Sequence, residues 1–346
     1  MVMAVEPILA SSLWDFTETA STKQRLNTAC NNIDAALKGG FDYGCITCIS
    51  AEPDSGAKDV TQALLLSHLL GSKMASATVI DTGQAVDVRR LYQTILSASP
   101  DSGDKTAAKS MLDKVKIMKL FDFEGLTEAM GELRDALEGS ALLYEKPPRG
   151  TVADSQADEN EMLDSDTPAT ANQSAEVRVT TATAESEAIP DATGLLIIDN
   201  ITQLAAPLLK TNHASGQALI ASFMRSLAHL AKRHNLCTVI LNSVLSYPIK
   251  GGFDYSQKEE SPSAFASCAA RPALGKSWTY LVDVHLLMHR MPKTEKGARA
   301  MRDGQRIEGT VEMVSVLEVI QDRCDGRVGR WAACSMDDKG GLRGVL

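Results

Sequence analysis

The chain has 346 residues, 44% of them hydrophobic and 23% charged, with a formal net charge of −9. That length can bury the core of one or two domains; no apolar run approaches the roughly 20 residues that cross a bilayer, and the N-terminus lacks the basic start, apolar core and small-residue cleavage site of a secretion signal. Seven cysteines, odd in number and mostly inside apolar runs, suit reduced core thiols of an intracellular protein better than a disulfide framework.

Residues 1–30 are short and mixed, an entry segment with a helix expected near Thr22–Leu37. A Gly-containing turn then leads into a short apolar run, Cys45 to Ile49, followed by a loop and an apolar helix from Lys58 to Leu70. Strand, loop and helix in that order form the unit of a phosphate-binding P-loop, G-x-x-x-x-G-K-[ST]. The eight positions here are Ala51, Glu52, Pro53, Asp54, Ser55, Gly56, Ala57 and Lys58. A second strand is expected at Ala77–Asp81 and a helix at Val86–Leu96, where Val88, Leu91 and Ile95 recur at helical spacing. Residues 99–109 read as a polar loop, Ile117–Phe121 as a third strand, and Leu126, Met130, Leu133 and Leu137 as one face of a helix.

From about 148 to 192 the chain is rich in Ser, Thr, Ala, Asp and Glu and poor in large apolar residues, so it cannot offset its ordering entropy and reads as a disordered insertion. Residues 151–193 carry ten carboxylates against one base, Arg178. That segment therefore accounts for the whole charge imbalance, and the net charge says nothing against nucleic acid at the remaining surface. The insertion is a solvated loop, an electrostatic guard, or a phosphorylation target at Thr167-Pro168. The core domain is expected to span 31–346 around it.

Gly194–Asp199 is the clearest buried strand: apolar residues ending in a carboxylate. A helix at Gln217–His234 and a strand at Cys237–Leu241 follow. Strands that are apolar on both faces and alternate with helices indicate an α/β fold with a mostly parallel sheet flanked by helices. Tyr247–Ala270 is a long polar loop. Leu281–His289, Val311–Ile320 and Arg330–Met336 read as strands, the last two around an Asp325-Gly326 turn, giving an antiparallel C-terminal extension.

Ligands of such a sheet bind at the carboxyl ends of its strands. There the loop 51–58, Asp81-Thr82-Gly83-Gln84 and Asp199-Asn200 converge. A carboxylate ending an apolar strand suits Mg²⁺, which takes hard oxygen ligands and keeps much of its water; a helix N-cap is the rival role for Asp199. Cys45-Ile46-Thr47-Cys48 is a C-x-x-C inside a strand with no second pair, so packing is expected rather than metal. His229 and His234 are expected at the surface, and Trp278 in the core.

The order of these segments resembles the RecA-like core of the eukaryotic recombinase paralogues, most closely the D-type branch. The resemblance rests on Leu37-Lys38-Gly39-Gly40-Phe41 with Gly44, the loop 51–58, Val79-Ile80-Asp81-Thr82 with Arg90-Leu91, Leu196-Ile197-Ile198-Asp199 with Ala206-Pro207-Leu208-Leu209, Leu227-Ala228-His229-Leu230-Ala231-Lys232, and Arg271-Pro272-Ala273-Leu274-Gly275-Lys276-Ser277-Trp278. It covers about 30–340 apart from the insertion, and this chain's front is expected to be too short to hold in full the helical N-terminal domain that family members usually carry.

The resemblance implies a P-loop NTPase core in a recombination mediator that loads or stabilises recombinase filaments. Implied partners are other recombinase paralogues, a SWIM-type zinc-finger protein in some lineages, and single-stranded or branched DNA; no membrane is implied, and the implied location is the nucleus, although no basic import cluster is visible. It places the second DNA-binding loop at 245–270, where Lys250, Phe253, Tyr255 and Lys258 could combine phosphate contacts and stacking, opposed by Glu259 and Glu260. The first corresponds to Lys210-Thr211-Asn212-His213.

The departures matter as much. The family has glycine where Ala51 stands, lysine where Ala57 stands and Ser or Thr where Lys58 stands. That lysine neutralises phosphates and that hydroxyl binds Mg²⁺. ATP with magnesium is thus the cofactor that the context implies and the chemistry argues against. A one-residue shift would let Lys58 serve as the lysine and Asp59 as a metal ligand, the basis of an alternative reading as a DNA-stimulated ATPase. Gly83 replaces the activating carboxylate and Ser243 the longer polar sensor, so little hydrolysis is expected. A silent scaffold subunit, as in the tRNA-modifying Elongator, is the third reading; the Pro-Ala-Leu-Gly…Trp stretch speaks against it.

Overall fold

A computed structural model describes residues 24–72, 74–84, 86–98, 104–144, 194–246, 262–265, 268, 270–302, 311–336 and 342–345. The chain divides into two compact units, Met1–Asp135 with Ala192–Leu346, and Ala136–Asp191. Of the second, only the last turns of one helix are described. The expected acidic insertion lies outside the described residues.

The strands are β1 (Arg25–Leu26), β2 (Phe41–Asp42), β3 (Ile46–Ala51), β4 (Ser76–Asp81), β5 (Val115–Lys119), β6 (Gly194–Asp199), β7 (Cys237–Ser246), β8 (Ala270–Pro272), β9 (Val284–Pro292), β10 (Met313–Asp322), β11 (Trp331–Met336) and β12 (Leu342–Gly344). The helices are α1 (Asn31–Ala36), α2 (Ala57–Gly71), α3 (Val88–Ala98), α4 (Lys105–Leu112), α5 (Phe123–Tyr144), α6 (Ile201–Thr211), α7 (His213–Arg233), α8 (Gly275–Thr279) and α9 (Glu295–Arg302). Among the described residues no helix is long and apolar enough to cross a membrane.

The main sheet runs β12-β11-β10-β9-β3-β7-β6-β4-β5, with β8 paired to β7. From β9 to β5 every neighbouring pair is parallel. From β9 to β12 the pairing is antiparallel. Ile46, Cys48 and Ile49 of β3 and Leu195–Ile198 of β6 are all buried. Side chains on both faces of these strands are covered, so their sequences run apolar without alternation. β3 lies between β7 and β9, and its carboxyl end is flanked by Ser243 and Met288.

Several local expectations give way. The helix expected near Thr22–Leu37 is only α1; Arg25 and Leu26 pair with Asp42 and Phe41 instead, because the Arg25 guanidinium binds Asp42 at 2.7 Å and Asp325 at 2.9 Å. The expected polar loop 99–109 holds the start of α4, whose first N–H groups are capped by the Asp104 carboxylate. α6 was not expected; the Asn200 side chain caps it by accepting the Thr202 N–H at 2.9 Å. His229 is exposed, but His234 is half-buried.

The antiparallel hairpin is tied to the front of the chain by a buried ion network. Arg327, 1% exposed, donates to Asp322 at 2.7 Å, to Asp42, and to the Leu37 carbonyl at 3.1 Å. Burial alone would raise the Asp322 carboxyl, but the Arg327 bonds hold it well below the usual carboxylate range. The expected C-x-x-C does not converge: Cys45 faces Cys324, with the sulfurs 3.2 Å apart, while Cys48 accepts the Trp278 indole N–H. Trp278 is buried, as expected.

Candidate functional site

β3 delivers the loop 51–58 to the carboxyl edge of the sheet. Glu52 donates its N–H to the Met288 carbonyl at 3.0 Å, and its carboxylate accepts the Arg290 N–H at 3.1 Å. Ser55 is buried and donates its hydroxyl to the Glu52 carbonyl at 2.8 Å, closing the turn. Gly56 has φ +93°, and a Cβ there would meet Met288 Cε at 3.3 Å; a left-handed, crowded position of this kind favours glycine. α2 then starts at Ala57, where the Asp59 and Val60 N–H groups both donate to the Gly56 carbonyl at 3.0 Å; a helix start of this kind is the usual place for an anion.

The side chains around this frame are different from those an anion site needs. Ala57 is buried and presents a methyl where an ammonium would neutralise phosphate. Lys58 stands where a hydroxyl would bind the metal. Its Nζ lies 3.5 Å from Oδ2 of Asp199. Asp199 and Asp81 are partners across β6 and β4. Burial raises the Asp199 carboxyl, Lys58 pulls it back, and Asp81 adds to the rise. Lys58 thus supplies the positive charge that a divalent cation would otherwise bring.

Asp59 does not turn to the same point. It pairs with Arg90 of α3 at 3.3 Å, which partly opposes the rise that burial imposes on its carboxyl. A cleft of about 130 Å³ lies between α2, α3 and the ends of β4 and β6, with Lys58, Asp59, Arg90 and Asp199 among its lining and Val79 and Ile197 on its apolar side. Pockets for drug-sized ligands hold roughly 300–1,000 Å³. These residues do not fit a magnesium nucleotide: in the direct frame the lysine and the hydroxyl are missing, and in the shifted frame Asp59 is committed to Arg90.

No family model matches the chain. It is 21% identical over 300 residues to "DNA repair protein RAD51 homolog 4" of Mus musculus, covering 87% of this chain and 69% of that protein. It is 19% identical over 276 residues to the protein of the same name from Bos taurus, covering 79% of this chain and 64% of that one. The chain thus spans about two thirds of the length of these relatives. Among solved structures it is similar to the RadB recombinase, with a TM-score of 0.54 at 15% identity, over 93% of this chain and all of that one. The fold is RecA-like.

In this RecA-like frame Asn200, Thr82 and Ser243 surround the strand ends. Thr82 accepts the Asn200 N–H at 2.9 Å and donates to its carbonyl at 3.0 Å, and Asn200 Nδ2 donates to Ser243 Oγ at 3.0 Å. Ser243 is therefore engaged, and Gly83 carries no acid. Lys210 is exposed on the last turn of α6; Lys250, Phe253, Tyr255 and Lys258 lie outside the described residues.

A buried polar line escaped the sequence reading. Thr202 Oγ1 accepts the Ser243 N–H and donates to Asn242 Oδ1 at 2.5 Å. Asn242 Nδ2 donates to Ser50 Oγ at 2.8 Å, and Ser50 Oγ is hydrogen-bonded to His285 Nε2 at 2.7 Å. Its signal was available: Ser50, Asn242 and His285 each interrupt an otherwise apolar strand. The line crosses the sheet from the edge of the candidate site to β9.

Proposed function

We propose that this chain is a recombination-mediator subunit, a RecA-like paralogue of the D type that assembles with other recombinase paralogues and helps load or stabilise recombinase filaments on single-stranded DNA. Its nucleotide site is degenerate and kept for architecture, with little or no ATP hydrolysis. The observation that carries this reading is the Lys58–Asp199 pair: a P-loop frame whose cation position is served by the chain's own ammonium. The likeness to a DNA repair protein supports the pathway, and with it a nuclear location. Contact with single-stranded or branched DNA is assigned to Lys210 and to Lys250, Phe253, Tyr255 and Lys258, within the complex. A SWIM-type zinc-finger protein is a further partner of the same assembly.

Affinity purification of the tagged full chain from its native source tests the proposal. The expected result is recovery of at least one recombinase paralogue, together with damage sensitivity of a deletion strain. No paralogue and normal damage tolerance would sink it. Recovery of tRNA-modifying subunits would favour the scaffold reading instead. The ATPase reading needs Asp59 at the metal, and its pairing with Arg90 opposes that.

A further inference from the structure

On the face of β9 opposite α2, three side chains of metal-ligating type converge from three segments. Cys268 comes from the chain before β8, His289 from β9 and Glu318 from β10. Their ligand atoms all lie within 4.8 Å of one another, and the residues are 7%, 1% and 2% exposed. His289 Nε2 and Glu318 Oε1 are 2.5 Å apart. The carboxylate is held from outside as well: Ser263 donates its hydroxyl to Oε1 at 2.5 Å, and Ala264 its N–H to Oε2 at 2.8 Å.

Water is kept away. The Phe265 ring meets His289 edge-on at 5.7 Å and Trp331 at 5.4 Å, and Ala270 and Leu287 pack beside Cys268. Polar groups brought together in so apolar a place cost free energy unless they are closely paired. A divalent cation would displace the thiol proton and the shared imidazole proton and bind all three atoms at once.

We propose that Cys268, His289 and Glu318 form a zinc site. Thiolate, imidazole and carboxylate are a borderline-soft set that selects Zn²⁺ over Mg²⁺ or Ca²⁺. Three protein ligands leave one tetrahedral position for water. Ser263 and Ala264 are the outer partners that orient Glu318, as metal-binding carboxylates require. Bound zinc would tie Cys268 to β9 and β10. The site does not depend on the functional reading above, and it lies on the other side of the sheet from the loop 51–58.

Cobalt reports the ligands directly. The full chain, stripped with chelator and titrated with Co²⁺, should show a thiolate-to-cobalt charge-transfer band and tetrahedral d–d bands saturating at about one equivalent, and Zn²⁺ should bleach both. Cys268→Ser should abolish the charge-transfer band, and His289→Gln should weaken binding at least tenfold, while Cys45→Ser and Cys48→Ser leave both bands unchanged. Absence of the band in the unaltered chain overturns the proposal even if a variant fails to fold. A band that survives Cys268→Ser, or is lost in Cys45→Ser, overturns it too.

Discussion

The Lys58 ammonium stands 3.5 Å from the Asp199 carboxylate, which is itself the cross-strand partner of Asp81. One exposed lysine thus moderates a carboxylate whose cross-strand neighbour is a second one. Lys58→Ala removes that counter-charge, and the Asp199 pKa rises further above its unfolded value. A carboxyl raised in the folded state makes stability fall as pH rises through that raised pKa. The variant should lose up to ~1 kcal/mol at neutral pH, the range of an exposed pair, and regain it below about pH 4, where both states are protonated. Urea midpoints at the two pH values check this. Asp199→Asn should be neutral or stabilising at pH 7, and a loss equal to that of Lys58→Ala would contradict the account.

Rebuilding the loop should rebuild the site. Ala57→Lys with Lys58→Thr places an ammonium at the phosphates and a hydroxyl by Asp199. Calorimetry should detect Mg-ATP binding in the double variant and none in the unaltered chain at concentrations on the order of 1 mM. Tight binding by the unaltered chain would remove the degenerate-site reading.

Arg327 bridges Asp42 and Asp322 from a fully buried position. Arg327→Ala removes the ion-pair partner of buried Asp322 and one of the two partners of buried Asp42, and should cost about 3–5 kcal/mol, read as a large fall in Tm. Asp322 is held low in the folded state, so its contribution is present above the unfolded carboxylate pKa and drains away as pH falls below about 4 toward the lower folded value. The unaltered chain should therefore lose stability between pH 4 and 2 more steeply than Arg327→Ala. Parallel curves would dismiss the network as the cause.

His285 ends the polar line with Nδ1 lacking a partner among the described residues, and burial lowers its pKa to about 4. An unfolded histidine takes its proton near pH 6.5, well before the folded one. Stability is thus full above that value and falls as pH drops from about 6.5 to 4, by a few kcal/mol at most. His285→Gln removes the titration while keeping a hydrogen-bonding side chain near Ser50. Its denaturation midpoint should fall less steeply over that pH window than that of the unaltered chain, the remainder coming from His68, whose pKa burial also lowers, and a slope equal to that of the unaltered chain would assign the effect elsewhere.

The sheet was legible because Leu195–Ile198 and the apolar residues of β3 and β7 are buried on both faces, which leaves an uninterrupted apolar signature. The loop 51–58 was legible because a strand, a glycine and a helix follow in fixed spacing. What escaped depends on partners distant in sequence. Arg25 leaves the expected helix because Asp42 and Asp325 hold it. α6 was hidden by Pro207 and by a start that is capped only through Asn200. Cys268, His289 and Glu318 follow no motif spacing, since antiparallel register and a returning loop bring them together; the C-x-x-C that does follow one sends its sulfurs to separate neighbours.

β9 is one residue thick between two chemistries. The Met288 carbonyl receives the Glu52 N–H at the start of the nucleotide-type loop, and the next side chain, His289, points through to the Cys268–Glu318 cluster. Arg290 then returns its N–H to the Glu52 carboxylate. Three consecutive residues therefore serve both faces, and a substitution that distorts this strand should disturb the anchoring of the loop and the buried cluster together.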